Sequence, residues 1–235
     1  MWPVEEYLTE NYRQLHPADI AVIEHHSAFY RRLAPDSVRL SLEFGAGPNL
    51  YPLMLAASAS RCIHAVERSA ANIAYLTQQL RNGPDPSWEA FYAECRRCLP
   101  TLPSSLTEAL SRVRITHDSV QNITPDRYDL ASMNFVAESV TEDLDEFNAL
   151  CALFVQSVRP GGLLVAAFME NMGRYCLGDG SRWPGYPVET ESVWEVFRPR
   201  TRELRVTRID ADATLPDYGY TGMVLMTARR AAARR

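Results

Sequence analysis

The stretch Val38-Arg39-Leu40-Ser41-Leu42-Glu43-Phe44-Gly45-Ala46-Gly47-Pro48 constrains the fold more than any other part of the chain. An apolar-leaning run ends in an acid and two glycines, which reads as a first β-strand delivering a tight turn into a helix. Glycine alone tolerates positive φ without strain and lets a ligand approach the backbone, so Gly45 and Gly47 mark a backbone-lined pocket with Glu43 at the strand end. The alternative is an ordinary strand-to-helix turn.

A dinucleotide fingerprint needs G-x-G-x-x-G, and the sixth position here is Leu50. An acid followed by G-x-G instead suits S-adenosylmethionine, which carries an ammonium, a carboxylate and ribose hydroxyls but no phosphate. A second strand, Arg61-Cys62-Ile63-His64-Ala65-Val66, closes on Glu67, an acid placed to accept two hydrogen bonds from a ribose diol. Ser69 caps the helix that follows and sets Asn72 in its first turns, near the ribose.

Composition narrows the chemistry. The chain has 235 residues, 46% of them hydrophobic, which predicts one domain over residues 1–235 with a full core. All 24 positive charges are arginine. Without lysine there is no Schiff-base lysine, no Walker-type phosphate lysine and no lysine general base. A formal charge of −5 argues against a nucleic-acid partner, and the basic tail from Arg229 reads as a solvated end. Five scattered cysteines, with no signal peptide and no run of transmembrane length, predict a reduced cytoplasmic protein off the membrane. Cys95-x-x-Cys98 has no second pair or histidine at ligand spacing, so no metal is expected.

Apolar spacing predicts a helical cap over residues 1–35, broken at Pro17. Tyr7 and Tyr12 fall about 140° apart on an ideal helix, so they share no helical face. After the glycine turn come a helix over 51–59, the Glu67 strand, the Asn72 helix and an aromatic-rich insertion over 82–112. Val113-Arg114-Ile115-Thr116-His117 is a third strand, and Asp118-Ser119 beyond it can meet an adenine edge. Tyr128 to Asn134 is a fourth strand, with Phe135 past its end. The sequence Asn134-Phe135-Val136-Ala137 lacks the prolines that nucleobase amino-methylating enzymes place there.

Ser139-x-x-Glu142 reads as a capping box opening a helix that ends at Arg159-Pro160-Gly161-Gly162. Leu163 to Phe168 is then a buried fifth strand. Residues 169–187, rich in Gly, Tyr, Trp and Pro, are a substrate lid. A helix over 189–197 and two β-rich runs over 202–209 and 221–227 complete a sheet of alternating strands and helices.

Taken together these residues resemble the small-molecule N-methyltransferases that act on nicotinamide, phenylethanolamine, indolethylamine and thioethers. The likeness is carried by Tyr7-Leu8 with Tyr12, Gly45-Ala46-Gly47-Pro48-Asn49-Leu50-Tyr51, Glu67 with Asn72, Asp118-Ser119, Arg159-Pro160-Gly161-Gly162 and Tyr175-Cys176-Leu177-Gly178. It implies an α/β, Rossmann-like, seven-stranded class I methyltransferase sheet ordered 3-2-1-4-5-7-6, its last inserted strand antiparallel. It also implies that Tyr12, Gly45, Tyr51, Glu67, Asn72, Asp118 and Ser119 hold S-adenosyl-L-methionine, and that Tyr7 and Tyr175 face the substrate. Glu67 stands where the animal enzymes have Asp, and Ser119 where they have Val. The lid has no counterpart, so the family does not supply the substrate.

Glu43, Gly47 and Asn134 join the expected cofactor set, and Phe135, Trp183, His25 and His26 the substrate set. Methyl transfer asks for an acceptor near the nucleophile and aromatic walls around a developing cation. Glu170 and Tyr175 are the expected catalytic pair, with Glu170 the acceptor unless it simply pairs with Arg174 at i, i+4. An amine acceptor is the expectation. A hydroxyl or carboxylate acceptor, which would lean on a histidine base, and a non-catalytic cofactor-binding module stand as alternatives, for a protein expected as monomer or homodimer.

Overall fold

The structure, a computed structural model, describes residues 2–232. Its strands are β1 (Ser41–Phe44), β2 (Ile63–Glu67), β3 (Val113–His117), β4 (Tyr128–Asn134), β5 (Val158–Glu170), β6 (Tyr175–Cys176), β7 (Arg182–Trp183), β8 (Thr201–Asp210) and β9 (Gly222–Arg230). The helices are α1 (Val4–Asn11), α2 (Pro17–Tyr30), α3 (Tyr51–Ala56), α4 (Ala70–Asn82), α5 (Trp88–Cys98), α6 (Leu106–Leu110), α7 (Leu144–Ser157) and α8 (Thr190–Phe197).

Seven strands form one sheet in the order β3-β2-β1-β4-β5-β9-β8, while β6 and β7 make a separate hairpin. Numbered among themselves, the seven run 3-2-1-4-5-7-6, as expected, and β9 lies antiparallel to both neighbours. Strand alternation sorts the core onto two faces. On one, Val165, Ala167 and Met169 of β5 pack with Ile23, Leu53, Trp88 and Phe91. On the other, Leu164, Ala166 and Phe168 pack with Phe147, Phe154 and Phe197 of α7 and α8. The insertion supplies α5 and α6, and its Trp88 and Phe91 are fully buried under the cap. Among the described residues no helix is long and apolar enough to cross a membrane.

Three expectations need correction. Helix α7 starts at Leu144, and its cap is Asp143, whose carboxylate accepts from Glu146 N at 2.9 Å. Ser139 lies on a loop that borders the cavity described below, and Thr141 bonds Glu146 instead. Residues 159–162 do not separate helix from strand but belong to β5. Tyr128 pairs with Val158 and Leu130 with Leu163, so the extra residues bulge out through Gly161 at φ 78°. Arg229 and Arg230 are not a solvated tail either: they end β9 and pair with Glu203 and Asp126. The rest of that tail, residues 233–235, lies outside the described residues.

Candidate active site

The turn after β1 has the conformation that its glycines anticipate. Gly45 (φ 71°) and Gly47 (φ 56°) are both left-handed. A Cβ on Gly45 would lie 2.7 Å from Val136 Cγ1, whereas one on Gly47 would meet nothing within 4 Å. The first glycine is needed for packing, and the second leaves open backbone facing the cavity. Glu67, at the tip of β2, accepts from Gly47 N at 2.8 Å through one oxygen and from Ser69 N at 2.6 Å through the other. That clamp fixes the carboxylate between the turn and the start of α4. Ser69 caps α4 as expected, accepting from Asn72 N.

Along these strand ends runs a cavity of about 780 Å³, in the upper part of the range of roughly 300–1,000 Å³ usual for ligand pockets. Gly45, Gly47, Glu67, Asn72, Ser119 and Asn134 line one end. Tyr7, Tyr175, Trp183, Phe135 and Trp2 line the other, joined by Tyr218, Tyr220, Met169 and Met172. Tyr12 stands between them. Helix α1 ends at Asn11, and Tyr12 leaves the helical path at φ −136°, so the angular separation of an unbroken helix does not apply. Its hydroxyl lies 3.4 Å from that of Tyr7 and accepts from Asn49 Nδ2 at 3.1 Å. Burial pushes the Tyr7 phenol up to about 12 and that of Tyr12 well above its ordinary value, so both stay neutral.

Several expected residues do not reach the cavity. Glu43 is buried behind the turn, where it accepts from Asn134 Nδ2 at 3.1 Å; burial raises its carboxyl to about 7. His25 and His26 lie one layer further back. His26 Nε2 is 2.9 Å from Asn134 Oδ1, an atom that can only accept, so this nitrogen carries the proton. His26 Nδ1 therefore accepts from His25 Nδ1 at 3.1 Å. Desolvation lowers the two imidazoles to about 4 and about 3, which keeps both neutral. Asn134 spends its second amide proton on Ser132 Oγ at 2.8 Å. The histidines thus hold Asn134 and are not bases aimed at a substrate.

Asp118 also turns away from the cavity, accepting from Ser119 N and Asn122 Nδ2 at 2.7 Å each. Tyr51 packs behind Tyr12 and stacks on Phe91 with centroids 6.0 Å apart. Glu170 departs furthest from expectation. Its carboxylate takes Arg208 Nε on both oxygens, at 2.9 and 2.8 Å, and the Thr221 hydroxyl at 2.7 Å. Met169 lines the cavity, so its neighbour on the strand points to the opposite face, toward α8 and Thr190. The alternative pairing with Arg174 does not form, because Arg174 binds Glu142.

Other lining residues carry no motif that the sequence reading picked out. Asn11 donates to the Tyr218 hydroxyl at 3.0 Å, and Tyr218 donates to Glu10 at 2.7 Å. These bonds tie α1 to the β8–β9 loop. Asp19, on the first turn of α2, is buried and lines the cavity. A carboxylate at the third position of a helix reads from sequence as a capping acid, which hides it.

The cofactor end has the features of a site for a nucleoside with a charged amino-acid arm. Asn72 Oδ1, on the cavity wall, is buried without a hydrogen-bond partner, and Gly47 presents backbone with open space before it. An unpaired acceptor oxygen there is matched by a hydroxyl or ammonium group.

Comparison with known proteins agrees. The family model described as the NNMT/PNMT/TEMT family matches residues 2–231. No curated protein sequence matches the chain. The solved N-methyltransferase NodS from Bradyrhizobium japonicum WM9 superposes with a TM-score of 0.57 at 13% identity, over 90% of this chain and 98% of that one. The 1,6-didemethyltoxoflavin-N1-methyltransferase of Burkholderia thailandensis, solved with 1,6-didemethyltoxoflavin and S-adenosylhomocysteine bound, superposes with a TM-score of 0.54 at 18% identity, over 91% of this chain and 80% of that one. At such identities the superpositions speak for the fold, and the family match extends over nearly the whole chain. The glycine turn, the clamped acid at β2 and the family match together place this chain in the NNMT/PNMT/TEMT family, as an S-adenosylmethionine-dependent methyltransferase.

Proposed function

We propose that the protein methylates the nitrogen of a small-molecule amine. The observation that carries this reading is the wall of the cavity away from the glycine turn. Tyr7, Tyr175, Tyr218, Tyr220, Trp2 and Trp183 line it, and among the described residues the one cationic side chain on the cavity surface, Arg68, sits beside Glu67 at the other end. Aromatic faces favour a nitrogen that becomes cationic as it is alkylated, by about 0.5–2 kcal/mol for each well-placed ring. A carboxylate or phenolate acceptor would want a cation or an imidazole, and neither faces that wall.

When bound, the cofactor supplies an electrophilic methyl group on a sulfonium. The protein's part is positional. Glu67, Asn72 and the Gly47 backbone hold the ribose, Ser119 borders the base, and Asn134 is fixed by His26 and Ser132 at the junction of the two ends. Tyr7, Tyr12, Phe135 and Tyr175 exclude water and confine the nucleophile to one approach. Neutral phenols suit this role, since an ionised one would compete for the alkyl group.

The test is transfer of label from methyl-labelled cofactor to separate pools of amines, phenols and carboxylic acids by the purified protein. Label should enter the amine pool. Label confined to phenols or acids would replace this reading with O-methylation, and binding of cofactor without transfer to any pool would make the protein a non-catalytic module.

A further inference from the structure

Among the described residues three carboxylates line the cavity: Glu67, Glu146 and Asp19. Glu67 is clamped to the backbone of the glycine turn at the cofactor end, and Glu146 is exposed and bonded to Thr141. Asp19 differs from both. It is 6% exposed, and its single hydrogen bond is a long one, from His16 N to Oδ2 at 3.2 Å. No arginine or histidine pairs with it among the described residues. It lines the same cavity as Tyr7, Tyr12 and Tyr220.

Helix capping does not account for such a group. The start of α2 already has a second acid, Asp212 of the β8–β9 loop, which accepts from Ala18 N at 2.9 Å. A buried carboxylate without a countercharge is costly, and a capping acid performs its function equally well in water.

We infer that Asp19 is the anchor for the substrate's amino group: the cavity takes a primary or secondary amine with an aromatic or apolar body, and the ammonium docks on the Asp19 carboxylate among Tyr7, Tyr12 and Tyr220. This rests on the amine reading above and adds the residue that selects for it. An ammonium has no lone pair to donate, so one proton must leave. It passes from R–NH3+ to the carboxylate, giving R–NH2 and Asp19–COOH, with no other bond broken. Desolvation and the charge of Asp212 raise the Asp19 carboxyl to about 7, which makes it a competent acceptor.

The experiment measures binding to the protein saturated with S-adenosylhomocysteine, so that no turnover intervenes. The probes are benzylamine, 2-phenylethylamine and tryptamine, each set against its alcohol isostere. At least one amine should bind the wild type about 30-fold more tightly than its alcohol, the range of a hydrogen-bonded charge. Asp19→Asn keeps an oxygen for His16 N; it should erase that preference and leave alcohol and S-adenosylhomocysteine affinities within about twofold. In the wild type, amine affinity should rise as pH goes from 6 to 8 and Asp19 ionises, a measurement that stands even if the variant folds poorly.

The other titratable groups at this helix end are His16, whose ring bonds Thr214, Asp212 and the neutral Tyr7, Tyr12 and Tyr220. The pH series is therefore repeated in His16→Gln, where the rise should persist. Undiminished amine preference in Asp19→Asn, a flat wild-type profile, or loss of the rise in His16→Gln would overturn the assignment. Methyl transfer to an amine by wild type and Asp19→Asn alike would remove Asp19 and leave the amine reading intact. Failure of the wild type to bind or methylate any amine would end both.

Discussion

A single residue's direction on a strand decides which acid can do chemistry here. Glu170 looked catalytic because it closes a central strand at the ligand-binding edge of the sheet. Strand alternation gives that edge to Met169 and turns Glu170 to Arg208 and Thr221. Glu170→Gln should lower unfolding free energy by about 1–3 kcal/mol, since it strips a half-exposed arginine of a buried partner, and should change single-turnover methylation by no more than a few fold. Denaturant melts and rapid-quench rates check the two halves. A rate loss of about 100-fold would return Glu170 to the chemistry. The glycines divide in the same manner. Gly45→Ala meets Val136 and should cost about 1–3 kcal/mol of stability, while Gly47→Ala, with open space at Cβ, should cost less and instead weaken cofactor binding measured by calorimetry. The places of Glu67, Asn72 and the two glycines on the cavity wall were legible because they follow from backbone geometry at a strand end. Asp19 was not, since an acid on the first turn of a helix has an ordinary explanation in capping.

Among elements, the cap helix α2 reaches the cofactor end through a chain of hydrogen bonds in which His25 donates to His26, His26 to Asn134 and Asn134 to Glu43. His26→Phe keeps most of the buried volume but frees the Asn134 amide to turn. S-adenosylhomocysteine affinity should fall by about 1–2 kcal/mol in calorimetry, with little change in amine affinity. Equal affinity in the variant would mean that Asn134 is held by Glu43 and Ser132 alone. Most strands were readable in advance, β3 and β4 to the residue, because buried parallel strands are short apolar runs between breakers. Two boundaries were not. The Pro-Gly-Gly run looked like a terminator but bulges within β5, where the pairing with β4 tolerates extra residues. Ser139 matched a capping pattern, yet Asp143 was the better-placed oxygen for the N–H groups of α7.

For the molecule as a whole, the interior holds acids whose ionisation burial shifts up to the neutral range: Asp19 and Glu43 at about 7 and Glu138 at about 8. Each has a folded value above its unfolded one, so the stability it contributes is present below the unfolded value and is lost as pH rises through the folded one. His25 and His26, lowered to about 4 and about 3, act in the opposite sense, and their stabilisation is complete above the ordinary histidine range. Above that range only the acids still titrate. The melting temperature of the ligand-free protein should therefore fall from pH 6.5 to pH 8, and Glu138→Gln should flatten the slope. A melting temperature that climbs over that interval would contradict the buried-acid account. The sheet order and its two covered faces were accessible from the sequence. The residues of the β8–β9 loop that close the cavity were not, because their partners lie on the far end of the chain.

That closure has a consequence for how the molecule is made. Asn11 meets Tyr218 across 207 positions, Ala18 meets Asp212, and His16 meets Thr214. On a ribosome adding roughly 5–20 residues per second, α1 and α2 wait on the order of 10–40 s for the loop that completes their contacts. The glycine turn, β2 and α4 are all synthesised well before it. A nascent chain can thus acquire its nucleoside-binding half early, while its aromatic chamber takes shape only once residues 212–220 have been made.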